Sequence, residues 1–456
     1  MTTSNTTLPK VMTVTLRDVK RATWIAFFAW TFAVYDFVLF GNLLPAFSAD
    51  MGWSAPETTN IVTWVTIGTA LVAFAIGPIV DRIGRRKGII IAVAGAAVAS
   101  LLTAVAGPLI GIFGGVGVVF LVLVRSIAGL GYAEQAINAT YLNEMFSKVY
   151  ADPSQAKRRG LIYSLVQSGW PVGSVLAAGS VYLLFPIGGW PLAFVVGAFP
   201  AIFILIAARW LKESPQFVNR RAALALLAEG RTAEARAFAA EAGVDIEDRA
   251  TPLRSVFRGE SLRALIFVGI GFFLSWFGVL VFVILGTTIL TAEDGKGINF
   301  SDALVILIIS NATAFLGYLF HGWFGDRIGR RNAIAIGWVL SAVSFAAMLL
   351  APSGGGGGLT ITLYSAGLFF LIGPFAALLF FTGESFPVHT RATGSAIINA
   401  GGQVGAILAG VGVTASLTAG SSWIDAAMIW GVVPVFIAAI LILFSKNVNP
   451  KVARTD

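Results

Sequence analysis

The sequence contains no cysteine and only two histidines, and 12% of its 456 residues are charged. The absence of cysteine excludes disulfide bonds, thiolate chemistry and cysteine-ligated metals, and two histidines alone argue against a zinc site. No phosphate loop of the form GxxxxGKS or GxxxxGKT is present, and the run Gly354–Gly358 is too short and isolated to bind a dinucleotide. The sequence therefore predicts no enzyme, no metal site and no bound cofactor.

Apolar residues are in excess: they make up 57% of the chain, at a mean hydropathy of +0.84. Soluble domains hold about 45–50% apolar and about 25% charged residues, so the surplus must face lipid. The formal net charge of +8 lies in short basic clusters between the apolar runs, a pattern that orients membrane proteins. We therefore predict an integral membrane protein with no nucleic-acid partner.

Apolar runs that are long enough to cross a bilayer, about 20 residues each, occur in two groups of six. The predicted spans cover residues 22–47, 60–80, 88–108, 112–137, 161–184, 189–210, 263–290, 302–324, 332–352, 358–382, 393–417 and 423–444. This pattern predicts an all-α membrane protein with twelve transmembrane helices in two six-helix bundles, 22–210 and 263–444. A cytoplasmic segment 1–21 precedes them, a linker 211–262 whose composition suits short helices joins them, and a tail 445–456 follows.

Lysine and arginine are concentrated in the loops on one side of the predicted spans. That set contains Arg82, Arg85, Arg86, Lys87, Lys148, Lys157, Arg158, Arg159, Arg327, Arg330, Arg331 and Arg391, whereas the opposite set contains Asp50, Glu57, Glu293, Asp294 and a single Lys296. The positive-inside rule places the first set and both termini in the cytoplasm, and the protein in the inner membrane. Residues 1–21 hold no apolar stretch, so no removable signal peptide is predicted.

One loop occurs twice, after the second span and after the eighth. Its members are Gly77, Asp81, Arg82, Gly84 and Arg85 in the first half, and Gly322, Asp326, Arg327, Gly329 and Arg330 in the second. The first glycine of each loop is expected to let two helices approach closely, the second to permit a tight turn, and the aspartate to pair with a guanidinium group. We expect these clusters to latch the halves together on the cytoplasmic side; the alternative is that they only set topology.

The pattern GxxxDRxGRR in both loops resembles the signature loop of the major facilitator superfamily. The resemblance extends over nearly the whole chain, because the span number, the orientation and the central linker agree with it. It implies two pseudo-symmetric bundles that rock around a central site near the bilayer midplane, and secondary transport as the function. The motif says nothing about the substrate.

Three ionisable residues lie at membrane depth in the first half, where charge is costly and each such group is a functional hypothesis. Asp36 and Arg125 lie at similar depth in the first and fourth spans and are expected to pair across the central cavity. Asp36 would carry a proton, and Arg125 would hold a substrate carboxylate. Glu134 would be a second proton site or a partner for loop charges. The alternatives are a static buried ion pair for Asp36 and Arg125, and a helix-end charge that reaches interfacial water for Glu134.

Neutral polar side chains supply further candidate substrate contacts. They are Tyr35, Asn42, Asn138 and Gln167 in the first half, and Trp276, Asn311, Tyr318, Tyr364, Asn399 and Gln403 in the second. The alternatives are hydrogen bonding between helices for the amides, and packing or interface anchoring for the aromatic residues. His321, assigned to a helix end, and His389, assigned to a loop, are predicted to be solvated rather than to relay protons.

Local patterns resemble the metabolite:proton symporter family more narrowly. They include Tyr35-Asp36-Phe37 with Gly41, Arg125 followed by Gly129, Gly131 and Glu134, Glu213-Ser214-Pro215, and Arg391 with Gly394. Departures from the family pattern are Val34 and the pair Tyr132-Ala133. The resemblance implies proton-coupled uptake of a small organic acid or zwitterion by a monomer in contact with membrane lipids, with Asp36, Arg125 and Glu134 as the coupling and anion-binding positions. A drug or metabolite exporter of the same fold, a sugar or sugar-acid symporter, and a channel are the alternatives.

Overall fold

A computed structural model describes residues 9–149, 162, 165–246, 253–352, 358–387 and 390–447. All regular structure in these residues is helical. The helices of the first half and the linker are α1 Leu16–Met51, α2 Ala55–Ile83, α3 Arg85–Ala104, α4 Ala106–Phe113, α5 Gly115–Val149, α6 Gly169–Gly197, α7 Phe199–Ala207, α8 Pro215–Ala228, α9 Thr232–Ala242 and α10 Leu253–Val256. Those of the second half are α11 Gly259–Ala264, α12 Ile270–Val279, α13 Gly286–Thr291, α14 Phe300–Ile328, α15 Arg330–Leu350, α16 Gly358–Ile372, α17 Phe375–Glu384, α18 Arg391–Thr418, α19 Trp423–Ala427 and α20 Val433–Ile442.

The described residues contain 11 apolar helical runs that are long enough to cross a membrane. One of them, Leu165–Trp210, is 46 residues long, which is enough for two crossings. Its helical geometry breaks at Gly188 and Gly189, and Gly189 has a φ of +64° that favours glycine. The break divides this run into two segments that match the predicted fifth and sixth spans, so the described residues contain twelve segments long enough to cross a membrane, as the sequence predicts.

The two repeated loops make matching turns between consecutive spans. Gly84 separates α2 from α3 with a φ of +103°, and Gly329 separates α14 from α15 with a φ of +91°. Both values lie in the region that side chains disfavour, which explains glycine at these positions. We refer to the end of the molecule that carries these loops as the basic end, and to the opposite end, which carries Asp50 and Asp294, as the acidic end.

Small residues bring the helices of each half close together. In the first half, a methyl group at Gly173 of α6 would collide with the backbone of Thr31 and Tyr35 in α1, and one at Gly129 of α5 would collide with Thr69 in α2. Close packing of this kind replaces the hydrophobic drive that water supplies to soluble proteins. The fifth span is thereby packed closely on the first, and the fourth on the second.

The two halves meet at the acidic end. Thr414 Oγ1 donates to Thr59 Oγ1 at 2.9 Å, and Thr287 Oγ1 donates to Asn42 Oδ1 at 3.4 Å. A methyl group at Gly41 would collide with the carbonyl group of Ile284. The acidic end is therefore closed by close backbone contact and neutral hydrogen bonds.

At the basic end, the repeated loops make ion pairs within their own halves. Arg85 pairs with Asp81 at 2.9 Å and with Glu144 at 3.1 Å. Arg330 pairs with Asp326 at 3.5 Å and with Glu384. Burial raises the pKa of the Glu384 carboxyl, and the Arg330 guanidinium beside it opposes this shift. These pairs join each aspartate to a guanidinium as the sequence suggests, but they do not latch the halves together in this conformation.

The close helix approach expected at Gly77 and Gly322 does not occur in this conformation. A methyl group at either position would meet open space. The hydrogen bonds that join the halves lie at the acidic end, and at the basic end no neighbouring helix packs against these glycines. Arg82 and Arg327 are exposed, and Arg327 lies over the ring of Trp323 at 4.3 Å.

The linker helices α8 and α9 pack on each other through a small core and attach to the first half. Glu213 Oε1 accepts hydrogen bonds from the backbone N–H groups of Arg85 and Arg86, at 2.9 and 3.1 Å. The side chain of Asn219 bonds to both backbone groups of Met12, at 2.8 and 3.1 Å. The linker is thus fastened to the start of the chain and to the first repeated loop.

The closed acidic end predicts a disulfide bond in this cysteine-free chain when Thr59 and Thr414 are both replaced by cysteine. The bond is expected because the two hydroxyl oxygens are 2.9 Å apart. Labelling with a maleimide before and after oxidation would show loss of both thiols, restored by a reductant. Each single variant, Thr59→Cys or Thr414→Cys, serves as the control and keeps its thiol. Two thiols that stay reactive after oxidation would contradict the contact.

Candidate functional site

Asp36 of α1 and Arg125 of α5 form a buried ion pair at the centre of the first half. Arg125 Nη1 lies 3.5 Å from Asp36 Oδ1, and Arg125 Nη2 donates to the backbone carbonyl of Asp36 at 3.2 Å. Ser100 of α3 donates its hydroxyl proton to Asp36 Oδ1. The two charged side chains are 4% and 3% exposed, so their mutual attraction is poorly screened. The structure therefore brings together the two residues that the sequence expected to pair.

The Arg125 guanidinium has donors to spare. It lies over the rings of Phe40 and Phe194, at 5.0 and 5.5 Å from their centroids. Its Nε has no hydrogen-bond acceptor among the described residues, and Asp36 Oδ2 has no donor. A guanidinium carries five N–H donors in a planar fork that matches a carboxylate. The Arg125 guanidinium therefore has free donors that an anionic ligand would satisfy.

An aromatic cavity lies against this ion pair, between the two halves. Its lining consists of Phe37, Phe40, Val62, Val65, Thr66, Thr69, Arg125, Ala128, Gly129, Trp276, Val279, Leu280, Ile284, Gln403 and Ala406. Arg125 is the charged residue of this lining, and the other polar contributions come from Thr66, Thr69 and Gln403. We call this space the outer cavity. An apolar, ring-lined space with one cation suits a small ligand with an anionic group and a flat apolar body.

A second space, the inner cavity, lies on the other side of Trp276. It is lined by Tyr132, Gln135, Trp170, Phe272, Trp276, Val279, Tyr318, Ile372, Phe375 and Asn399. Trp276 and Val279 line both cavities and so separate them. The Trp276 ring packs edge-on against Tyr132 at 5.6 Å, and its indole nitrogen occupies the room left by the missing side chain of Gly402. The position of this partition therefore depends on Tyr132 and Gly402.

Six of the predicted contact residues lie at or beside these cavities. Arg125 and Gln403 line the outer cavity, Tyr318 and Asn399 line the inner cavity, and Trp276 lines both. Gln167 lies beside the inner cavity, where its Oε1 accepts a hydrogen bond from Gln135 Nε2 at 2.9 Å. The amide of Asn399 is exposed, so it is accessible to a ligand in the inner cavity.

Several other predicted contacts have protein partners away from both cavities. Tyr35 donates to Ser180 at 3.0 Å, Asn138 to the Ala26 carbonyl at 2.8 Å, and Asn311 to the Leu307 carbonyl at 2.9 Å. Asn42 belongs to the closure at the acidic end. These residues hold helices together or bond within one, so in this conformation they contact no ligand space.

Tyr364 forms a hydrogen bond with a backbone carbonyl at a bend in the seventh span. It is completely buried, and its hydroxyl donates to the carbonyl of Phe282, within a wide π-type turn at Leu280–Ile284. Such turns displace carbonyls from the regular helical ladder and leave them in need of other donors. Tyr364 therefore stabilises the bend between α12 and α13, in place of the substrate contact that was expected.

Glu134 lies inside the first half and lines neither cavity. It is 0% exposed, and its carboxyl group forms no ion pair with any cation that the structure describes. The expectations that it reaches interfacial water or pairs with loop charges are therefore wrong. Its helix position turns it away from both, and the nearby loop cation Arg85 pairs with Glu144 instead.

His321 is also placed differently from expectation. It lies within α14 at 1% exposure, and its Nδ1 bonds to the Gly317 carbonyl at 2.8 Å. Its ring packs against Phe369 and Phe370, at 5.4 and 5.8 Å. The prediction of a solvated histidine is wrong because α14 extends to Ile328, well beyond the span end that hydropathy indicated. His389 lies outside the described residues.

Sequence reasoning missed several residues of the site, among them Ser100, Thr66, Thr69 and Gln135. Each is a small or neutral polar residue within an apolar span, and many such residues in this chain only bond to their own helix. Ser100 was detectable in principle as a hydroxyl at the depth of Asp36. Its contact with Asp36 depends on the rotation of α3 about its axis, which is set by packing against other helices.

Comparison with known proteins supports the fold and the class. A family model described as Major Facilitator Superfamily matches residues 23–410. The chain is 24% identical to the niacin transporter NiaP of Acinetobacter baylyi, over 94% of each chain. It is 26% identical to the gallate transporter of Pseudomonas putida, over 84% of this chain and 82% of that protein. It is also 26% identical to the 4-hydroxybenzoate transporter PcaK of Pseudomonas putida, over 82% and 80% of the two chains.

Among solved structures, the xylose transporter XylE from Escherichia coli, in a partially occluded inward open conformation, has the same fold. It superimposes with a TM-score of 0.65 at 18% identity and covers 93% of this chain and 98% of that chain. The fold predicted from the sequence is thereby confirmed. The relatives are named as transporters, which agrees with the prediction that the chain is not an enzyme.

The buried pair predicts a non-additive effect on stability. Arg125→Leu would leave the Asp36 carboxylate buried beside no cation, and removing one partner of a buried pair typically costs about 3–5 kcal/mol. The double variant Asp36→Leu with Arg125→Leu removes both charges and should regain most of that loss. Unfolding of the detergent-purified variants at neutral pH would measure both. A double variant that is less stable than Arg125→Leu would contradict the pairing.

Proposed function

This chain belongs to the Major Facilitator Superfamily, and on that basis we propose that it imports a small aromatic carboxylate together with a proton. The observation that carries the proposal is Arg125, a cation with spare donors at the wall of a ring-lined central cavity. The relatives named for niacin, gallate and 4-hydroxybenzoate take substrates that combine one aromatic ring with a carboxyl group. Both the shape and the charge of the outer cavity suit that class.

Coupling would arise because two carboxylates compete for one guanidinium. While Asp36 is ionised, it holds Arg125 through the 3.5 Å contact. A proton on Asp36 weakens this attraction and leaves the Arg125 fork available for the substrate carboxylate, which it would bind through two parallel hydrogen bonds. Trp276 and Phe37 would flank the substrate ring in an offset or edge-on arrangement. Proton and substrate thus bind together without leaving a buried charge unpaired.

Release would reverse this exchange at the basic end. When the halves open there, Asp36 gives up its proton and draws Arg125 back, and the substrate carboxylate loses its partner. The conformation described here, with the acidic end closed and the Asp36–Arg125 pair formed, fits the state after release. We propose that the protein lies in an inner membrane of the bacterial type, with the basic end and both termini on the cytoplasmic side. We also propose that the monomer is the functional unit. Glu134 is a second candidate proton carrier inside the first half.

An exporter of lipophilic cations is the main competing proposal. The charged lining residue of the outer cavity is an arginine, and a positive cavity repels such cations. Sugar transport has only the likeness in fold to XylE in its favour. A thermal-shift screen at pH 5.5 and 7.5, with aromatic carboxylates, aliphatic carboxylates, betaines, neutral sugars and lipophilic cations, separates these classes because a bound ligand raises the melting temperature. Stabilisation by lipophilic cations alone would overturn the proposal.

Asp36→Asn keeps the size of the side chain but cannot bind a proton. In proteoliposomes, it should abolish accumulation of an aromatic carboxylate driven by an imposed pH gradient, whereas exchange of substrate across the membrane should persist. Asp50→Asn is a matched control, because that carboxylate accepts a hydrogen bond from Trp190 at the acidic end, 3.0 Å away. Gradient-driven accumulation by Asp36→Asn would contradict its coupling role.

Arg125→Lys keeps the charge but removes the planar fork. Binding of the carboxylate should weaken about 10-fold or more, since hydrogen bonds to charged groups contribute about 1.5–3 kcal/mol each. Arg125→Ala should weaken it further, at both pH 5.5 and pH 7.5. Ser126→Ala, next along α5 and bonded only to its own helix at Val122, is the control and should bind normally. Unchanged affinity in Arg125→Ala would remove Arg125 from the site.

A further inference from the structure

A stripe of exposed cationic and aromatic side chains runs along α1 from the basic end into the membrane. It consists of Arg17, Lys20, Arg21, Trp24 and Phe28, all of which are exposed. Their spacing of three, four, seven and eleven residues places them on one face of the helix. Arg17 and Trp24 are separated by about 10 Å along the axis, at about 1.5 Å per residue. The stripe thus passes from cations through tryptophan to phenylalanine with increasing depth.

The three cations of this stripe are unpaired within the part of the chain that the structure describes. Arg17, Lys20 and Arg21 form no ion pair or hydrogen bond with any residue that the structure describes. The neighbouring carboxylate of Asp18 is already engaged, because it pairs with Lys212 at 2.9 Å and caps the helix with Thr15. Three like charges within five residues repel each other unless an external anion compensates them.

The end of the sixth span completes the surface. The Asp18–Lys212 pair ties the residues after α7 to the start of α1, and Arg209 and Trp210 lie just before Lys212. Trp210 is 62% exposed, and Phe203, further into the membrane on α7, is 69% exposed. Cations therefore lie at the level of the interface on both helices, and large apolar side chains lie below them. We call this surface the α1–α7 patch.

The corresponding place in the second half is arranged differently. There, Arg263 donates to the Phe444 carbonyl through Nε and Nη2, at 3.2 and 2.9 Å, and Lys446 pairs with Glu260 at 2.7 Å. Arg263, in the first turns of the seventh span, and Lys446, after the twelfth, thus have protein acceptors. In the first half, by contrast, Lys212 pairs with Asp18, but three neighbouring cations, Arg17, Lys20 and Arg21, have no partner among the described residues.

We propose that the α1–α7 patch binds the headgroup of an anionic phospholipid. The phosphate and its negative charge would lie among Arg17, Lys20, Arg21 and Arg209, the indole rings would sit at the level of the ester groups, and the acyl chains would follow Phe28 and Phe203. Clusters of basic residues beside a span attract anionic lipid, and tryptophan prefers the interface. This site lies on the lipid-facing side of the first half, so it does not depend on the transported substrate.

The test compares the triple variant Arg17→Gln, Lys20→Gln, Arg21→Gln with the unaltered chain, by the melting temperature in neutral-detergent micelles to which phosphatidylglycerol is added stepwise. Each cation near an anionic surface contributes about fivefold to binding, so the lipid concentration at half-maximal stabilisation should rise about tenfold or more in the variant. Phosphatidylcholine at equal concentrations should stabilise both proteins equally and weakly.

A matched control carries the same loss of charge elsewhere at the basic end. The triple variant Arg221→Gln, Arg236→Gln, Arg254→Gln alters exposed linker cations and should respond to phosphatidylglycerol like the unaltered chain. Glycerol phosphate in solution is a further arm, and it should not stabilise the protein, since it lacks acyl chains. If the first triple variant melts early without lipid, the single variant Arg21→Gln replaces it, with an expected shift of about fivefold. An unchanged lipid response in these α1 variants, or equal stabilisation by glycerol phosphate, would overturn the proposal.

Discussion

The structure depends on an ion pair in the membrane interior, where burying a charged side chain has a large free-energy cost. Asp36 and Arg125 lie at membrane depth with almost no exposure, and each is tolerable there only because the other, Ser100 and two aromatic rings surround it. The arrangement leaves guanidinium donors unsatisfied. A structure that buries a charge and leaves part of its hydrogen-bonding capacity unused is prepared for an anionic partner, and the ring-lined outer cavity lies directly beside it.

The helices position this pair through contacts that leave little freedom. Gly129 and Gly173 allow the second and sixth helices to pack against α5 and α1 at backbone distance, so the depths of Asp36 and Arg125 are matched by the packing of the whole first half. The second half contributes the opposite chemistry. Its cavity residues, such as Trp276, Gln403 and Asn399, are neutral, and the bend at Leu280–Ile284 carries α13 against α1. The two halves thus share a helical arrangement but differ in chemistry. The first half contains the buried ion pair, and the second half contributes neutral cavity-lining residues and the contacts that close the acidic end.

The same division appears at the membrane surface. The repeated loops 77–85 and 322–330 share six of their nine residues and a glycine of positive φ at the turn, and Arg85 and Arg330 pair with equivalent aspartates. The surfaces beside these loops differ: Arg263 and Lys446 have protein acceptors, whereas Arg17, Lys20 and Arg21 are exposed and have no partner among the described residues. Pseudo-symmetry therefore preserves the positions of the helices more strictly than the chemistry on their surfaces.

By itself the sequence determined the membrane class, the spans, the repeated loops and the pairing of Asp36 with Arg125. The reason is that bilayer thickness and the cost of buried charge act on each segment separately, so composition and spacing reveal them. The tertiary structure alone decided which polar residues face the cavities. Tyr364, Asn311 and Asn138 bond within the protein, Glu134 and His321 are turned into the packed interior, and Ser100 reaches Asp36 from a third helix. These outcomes depend on the rotation and tilt of each helix against its neighbours, which arise from packing between distant segments and have no periodic signature within any one of them.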